Sequence, residues 1–219
     1  YSRLARFGSP IRQKEQNMEL TLPDSVLHLF LSVVKSFPSH VAVEDGSETL
    51  SYSELDFKSS IIAHELRNHG VKPGQTIPFL TSSCVQVVVG VLGILKCGCA
   101  YVPIDRDLWP ADRVNYVLSR TNMGLIMYTG SDPNIENTTG IRLPLTKDES
   151  AEAEANSIHH HIRSDLMCVI FTSGTTNKPK GVRVRQSSVA QFASAPSFNC
   201  DIRPEDRVLL VSSIAFDGK

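Results

Sequence analysis

Ten consecutive residues, Thr172-Ser173-Gly174-Thr175-Thr176-Asn177-Lys178-Pro179-Lys180-Gly181, put hydroxyls, a free backbone and cationic side chains in one place. Polyphosphate binding needs that combination. Ser and Thr hydroxyls donate hydrogen bonds, and glycine lets the main chain come close to an anion. Two lysines, Lys178 and Lys180, meet the negative charge as flexible point charges. By composition alone, such a loop could also be a solvated turn. Spacing excludes two other phosphate loops. Gly174 and Gly181 lie too far apart for G-x-x-x-x-G-K-[ST], Val182 follows the second glycine, and G-x-G-x-x-G is absent.

A loop of this kind needs a rigid support. The run Met167-Cys168-Val169-Ile170-Phe171 directly before it reads as a buried strand that holds it at a sheet edge. Upstream, Pro23-Asp24-Ser25 opens a helix to about Phe37, with Val26, Leu29, Phe30, Val33 and Val34 at helical spacing. His40–Val43 and Thr49–Tyr52 flank Asp45-Gly46 as a short hairpin. Ser53 and Asp56 read as a capping box for a helix that stops at Gly70. The pattern then alternates: strand 76–80, helix 83–96, strand 100–103, helix 111–120, strand 124–128. A polar loop and linker, 129–165, precedes strand 166–171. Beyond the phosphate loop come a short strand 182–185, a helix 187–194 and a strand 207–211. Such alternation predicts an α/β fold with a largely parallel sheet covered by helices, binding its ligand at the carboxyl ends of the strands. Residues 1–20 are polar without periodicity and read as a flexible leader, leaving 21–219 as the folded portion.

Composition narrows the function classes. The chain has 219 residues with 22 Lys+Arg against 23 Asp+Glu, so net charge gives no case for nucleic acid or an anionic membrane. The longest apolar stretch, 85–95, is too short to span a bilayer, and no secretory signal is visible, which together predict a cytoplasmic protein. Cys84, Cys97, Cys99, Cys168 and Cys200 lack zinc-type spacing and read as buried thiols in a reducing compartment. His159-His160-His161 sits in the polar linker with no Cys partner, and a solvated linker is the preferred reading over a metal site.

The ordered string 172–181 followed by Val182 resembles the phosphate-binding motif of adenylate-forming (AMP-binding) enzymes. Other segments agree in the family's order: Leu50-Ser51-Tyr52-Ser53-Glu54-Leu55 is similar to "LTYxEL", residues 95–105 to "LKAGxAYVPID", and Ala215-Phe216-Asp217 to the start of "FDxS". The wording favours the adenylation domains of nonribosomal peptide synthetases over the acyl-CoA synthetases. The resemblance runs from about Pro23 to Lys219. It implies the N-terminal portion of an adenylation domain, truncated at its C-terminus.

The resemblance also implies roles. Lys180 is the catalytic residue, in contact with the departing pyrophosphate. Thr172, Ser173, Gly174, Thr175, Thr176, Lys178, Lys180 and Gly181 bind ATP phosphates. Removing a group that stabilises transition-state charge there should cost on the order of 3 kcal/mol, or a hundredfold in rate. Asp217 pairs with the α-ammonium of an amino-acid substrate, its bland alternative being an ordinary turn residue before Gly218. Tyr101, Asp105 and Trp109 read as turn and packing residues, as do Lys96 and Cys97. Two departures stand out: Asn177 replaces the family's usual glycine, and Gln186 replaces a histidine.

The implied reaction joins a carboxylate to the ATP α-phosphorus and passes the acyl group to the phosphopantetheine thiol of a carrier protein, with Mg2+ on the phosphates. No metal ligand is assigned in this chain. Segments resembling "YGPTE", "RTGD" and the C-terminal catalytic lysine are not found, so the chain alone is expected to be inactive in ATP–pyrophosphate exchange. The alternatives are an acyl-CoA or aryl-acid synthetase fragment, and a non-catalytic truncated remnant.

Overall fold

The computed structural model describes residues 25–46, 48–81, 85–105, 107–121, 124–135, 138–143, 164–172, 179–195, 206–210 and 213–215. Helix α1 (Val26–Ser36) starts where Ser25 Oγ accepts from the His28 amide at 3.0 Å. Strands β1 (Val41–Glu44) and β2 (Thr49–Ser51) pair antiparallel in the expected hairpin. Helix α2 (Tyr52–Asn68) begins two residues earlier than Ser53 and Asp56 predict. Its capping box is Ser51 with Glu54, whose carboxylate accepts from the Ser51 amide at 2.8 Å. A glutamate is long enough to reach back to the cap amide. Asp56 instead accepts a hydrogen bond from Lys96. The helix ends as predicted at Gly70, which has φ +77°.

The main sheet holds β3 (Thr76–Thr81), β4 (Ala100–Asp105), β5 (Leu125–Thr129), β6 (Thr139–Leu143), β7 (Leu166–Thr172) and β8 (Lys180–Arg185) in the order β6-β5-β3-β4-β7-β8. All neighbouring pairs are parallel except β7–β8. The α/β expectation therefore stands, with one antiparallel edge. Helices α3 (Val85–Lys96) and α4 (Ala111–Thr121) connect the central strands, and α5 (Gln186–Ser194) follows β8.

Two expectations are corrected. Strand β6 lies inside 129–165, the segment read as polar loop. Only Ile141 and Leu143 face the core from this edge strand, so its alternation is too brief to register against polar flanks. Conversely, residues 207–210 form no strand. Val208, Leu209 and Leu210 are exposed without a ladder partner among the described residues, and an apolar run becomes a strand only when a neighbour supplies hydrogen bonds.

The larger core packs α1, α2 and α3 on one face of the sheet; the smaller gathers Leu80, Val102, Ile104, Val117, Tyr128 and Phe171 beneath α4. Helix α3 is buried nearly all round, as its unbroken apolar sequence requires. It fits between sheet and α2 because it is thin. A Cβ on Gly90 would lie 2.5 Å from Phe79 Cζ, and one on Gly93 2.5 Å from Ile62 Cβ. Lys96, fully buried at the end of α3, reaches Asp56 Oδ1 at 2.6 Å and Ser60 Oγ at 2.9 Å. Cys97, Cys99 and Cys168 are buried free thiols, as expected, whereas Cys84 and Cys200 lie outside the described residues.

Candidate functional site

Register defines one functional edge. Thr81 pairs with Asp105 and Leu80 with Tyr128, so Thr81, Asp105 and Thr129 end level with one another. Tyr101 pairs with Cys168, and the same number of residues further along these parallel strands stand Asp105 and Thr172. A row of short polar side chains therefore closes the carboxyl edge of four adjacent strands. Thr81, Asp105 and Thr129 are buried and Thr172 is half-buried. A parallel sheet binds its ligands at this edge.

The expected loop leaves from Thr172 and returns at Lys180, and these two residues face each other in the β7–β8 ladder. The connection thus joins strand to antiparallel strand. Thr172 is half-buried and Lys180 is exposed. Lys180 also lines an open cavity of about 700 Å³ that runs between α4 and the β7–β8 hairpin. Arg120 and Arg183 share the lining with Thr76 and Leu166, the first residues of β3 and β7, so this groove with three cationic side chains runs along the sheet face toward the amino ends of the strands. Gly181 belongs to β8, where a Cβ would sit 2.9 Å from Val169 Cγ1 and 3.3 Å from Phe171 Cζ. Its smallness lets those side chains cross the strand. Ser173, Gly174, Thr175, Thr176 and Lys178 lie outside the described residues, as do Asp217 and His159–His161.

The strands under this edge are tied together by side chains. Tyr101 and Cys168 share a hydrogen bond between β4 and β7. Burial, reinforced by Cys168, pushes the Tyr101 phenol well above its ordinary range, so it stays protonated. At the end of β4, Asp105 Oδ1 accepts from the amides of Asp107 at 3.1 Å and Leu108 at 3.0 Å. The Asp105 carbonyl accepts from the Trp109 amide at 3.0 Å. Asp105 and Trp109 are thus turn-forming, as read from the sequence.

Gln186, the departure from the family's histidine, lies at the other end of the strand. It follows Arg185, which pairs with Leu166 at the amino end of β7, so it lies roughly 20 Å from Thr172 at about 3.3 Å per residue. Its side chain is buried, accepting from the Leu27 amide at 3.4 Å and donating to the Ser164 carbonyl at 3.1 Å. It joins α1 to the sheet and leaves the phosphate edge alone. Sequence reasoning missed Arg113, whose guanidinium stacks 3.9 Å over the Trp109 ring and donates to the Phe171 carbonyl at 2.9 Å. The four-residue spacing from Trp109 was the available signal.

Described residues contain no cluster of three or more metal-ligating side chains. At the neck of the loop the described residues place one hydroxyl, Thr172, opposite one ammonium, Lys180, with the Asp105 carboxylate ending level with them. No helix among the described residues is long and apolar enough to cross a membrane.

Comparison with known proteins shows the family and the fold. The AMP-binding enzyme family matches residues 30–219. The nonribosomal peptide synthetase criC of Aspergillus cristatus is 50% identical over 203 residues, covering 89% of this chain and 9% of its own. Gramicidin S synthase 2 of Brevibacillus brevis is 36% identical over 192 residues, covering 86% of this chain and 4% of its own. The chain therefore spans under a tenth of these relatives' length. Among solved structures, the AMPPNP-bound form of the nonribosomal peptide synthetase FmoA3 superposes with a TM-score of 0.72 at 25% identity, over 93% of this chain and 22% of that one.

Proposed function

The chain belongs to the AMP-binding enzyme family, and from that premise we propose that it takes part in activating an amino acid as its adenylate. In this reading the amino-acid carboxylate attacks the α-phosphorus of ATP, the bond to the β-phosphate oxygen breaks, and pyrophosphate departs. Residues 172–181 cradle the β- and γ-phosphates, with Lys180 neutralising charge that grows on the leaving group. Asp217 pairs with the substrate's α-ammonium. When bound, Mg2+ adds further charge neutralisation at the phosphate oxygens. The activated acyl group then goes to the phosphopantetheine thiol of a carrier protein. Resemblance to fungal peptide synthetases at about half identity favours an amino acid over a fatty or aryl acid.

One observation carries the reading. Thr172 and Lys180 sit opposite each other at the neck of the loop, on the polar carboxyl edge, with Lys180 open to a cationic groove. Calorimetric titration of the 219-residue chain with MgATP and with magnesium pyrophosphate tests it. Lys180→Ala should weaken both affinities by about tenfold, the usual worth of one charged hydrogen bond. Equal affinities in wild type and variant would remove Lys180 from the site.

A further inference from the structure

We propose that Arg113 is the positioning residue of the phosphate loop: it braces the end of β7, and Asp105 and Trp109 fix its guanidinium for that task. The proposal rests on the reading of residues 172–181 as the triphosphate cradle.

The β7–β8 ladder holds this strand end from one side, through Phe171 with Gly181 and Thr172 with Lys180. The β4–β7 ladder is registered at Tyr101 and Cys168, three residues below Phe171. On its other side β7 has only β8, an edge strand with almost every residue exposed. Arg113 supplies a donor at the level where the loop departs, through Nη2 to the Phe171 carbonyl. Phe171 immediately precedes Thr172, so whatever fixes that carbonyl fixes the peptide plane from which the loop springs.

The guanidinium is itself held from two directions. Asp105 folds the chain into a turn by accepting the Asp107 and Leu108 amides. That turn, closed by the Trp109 amide on the Asp105 carbonyl, delivers the indole to the Arg113 plane. A planar cation on an aromatic face loses little freedom when it then makes a directed hydrogen bond. Arg113 Nε is buried without a hydrogen-bond partner among the described residues. An unpaired buried donor is unfavourable, and the fold keeps it in order to place the rest of the group. The path Asp105–Trp109–Arg113–Phe171 thereby connects the segment 95–105 to the loop at 172–181, two stretches far apart in sequence.

Hydrogen–deuterium exchange and MgATP titration on the 219-residue chain test this with Arg113→Met, Arg113→Lys and Trp109→Leu. In Arg113→Met, amides of 171–172 and 180–182 should exchange about tenfold faster while α2 and α3 keep their protection, and MgATP affinity should fall about tenfold. Trp109→Leu should reproduce the effect in weaker form. Arg113→Lys should recover part of both losses, because it keeps the donor and the charge but not the planar face. Unchanged exchange at the strand end overturns the proposal. So does protection lost uniformly through α2 and α3, which marks a general packing role, or unchanged affinity with a loosened strand end. The wild-type titration separates the two readings. Failure of the wild type to bind MgATP overturns the cradle and the ligand half of this proposal, while local exchange in Arg113→Met still decides the brace.

Discussion

The two flanks of the sheet are built to opposite standards. On the flank of α1, α2 and α3 the packing is close enough that two glycines in α3 admit no Cβ, and even its lysine is enclosed and partnered. On the flank of the β7–β8 hairpin, β8 is exposed at nearly every residue and borders an open, cation-lined groove. One flank supplies cohesion, and the other leaves room for a ligand. On the proposed function, stability and binding then fall to different residues, and substitutions should sort accordingly.

Gly93→Ala should have the largest effect. Its new methyl would meet Ile62 Cβ and Cγ2 at 2.5 Å, and Ile62 is rigid at that point, so about 3 kcal/mol of stability should be lost in a urea titration. A loss below about 1 kcal/mol would mean that α2 and α3 can separate freely.

Next comes the Lys96–Asp56 pair. Asp56→Ala strands a buried ammonium and should cost about 2 kcal/mol, discounted because Asp56 is partly open to solvent. Lys96→Met, which removes the charge and keeps the volume, should cost less. Desolvation holds the Lys96 pKa below its ordinary value of 10.5, against the pull of Asp56. Between the lowered folded value and 10.5 the unfolded chain binds more protons, so this group makes stability rise with pH across that window. Subtracting the Lys96→Met profile from that of the wild type should isolate the rise. A difference that falls with pH there would reverse the assignment of desolvation as the stronger cause.

The smallest effect belongs to the open flank. Val182→Thr, at a half-exposed position of β8, should stay within about 0.5 kcal/mol of wild type in the same titration. A loss above about 1 kcal/mol would show that this edge is covered in solution and would erase the contrast.

Much of this division was legible in the residues themselves. Strand 76–80 announces burial by its apolar run, whereas 166–171, equally apolar, buries only Cys168 and Phe171 because it lies beside the exposed β8. Gly70 marks a helix end through its left-handed backbone. Strand β6 was hidden because an edge strand buries only alternate side chains, and here only two. The helix start at Tyr52 was misplaced because two overlapping Ser-x-x-acid patterns compete, and side-chain length decides between them. Of the candidate residues in the motif, Thr172 and Lys180 stand opposite each other at the neck of the loop. Arg113 was not legible, since its role depends on a carbonyl in a strand that only tertiary packing brings near.

Register at Thr172 and Lys180 has a consequence for how such a loop can vary. Because the ladder clamps both feet side by side, the connection 173–178 is a loop whose ends the sheet has already brought together. Lengthening it costs little in closure entropy, which grows only as the logarithm of loop size. Residues can therefore be added between these two feet without renegotiating the fold below.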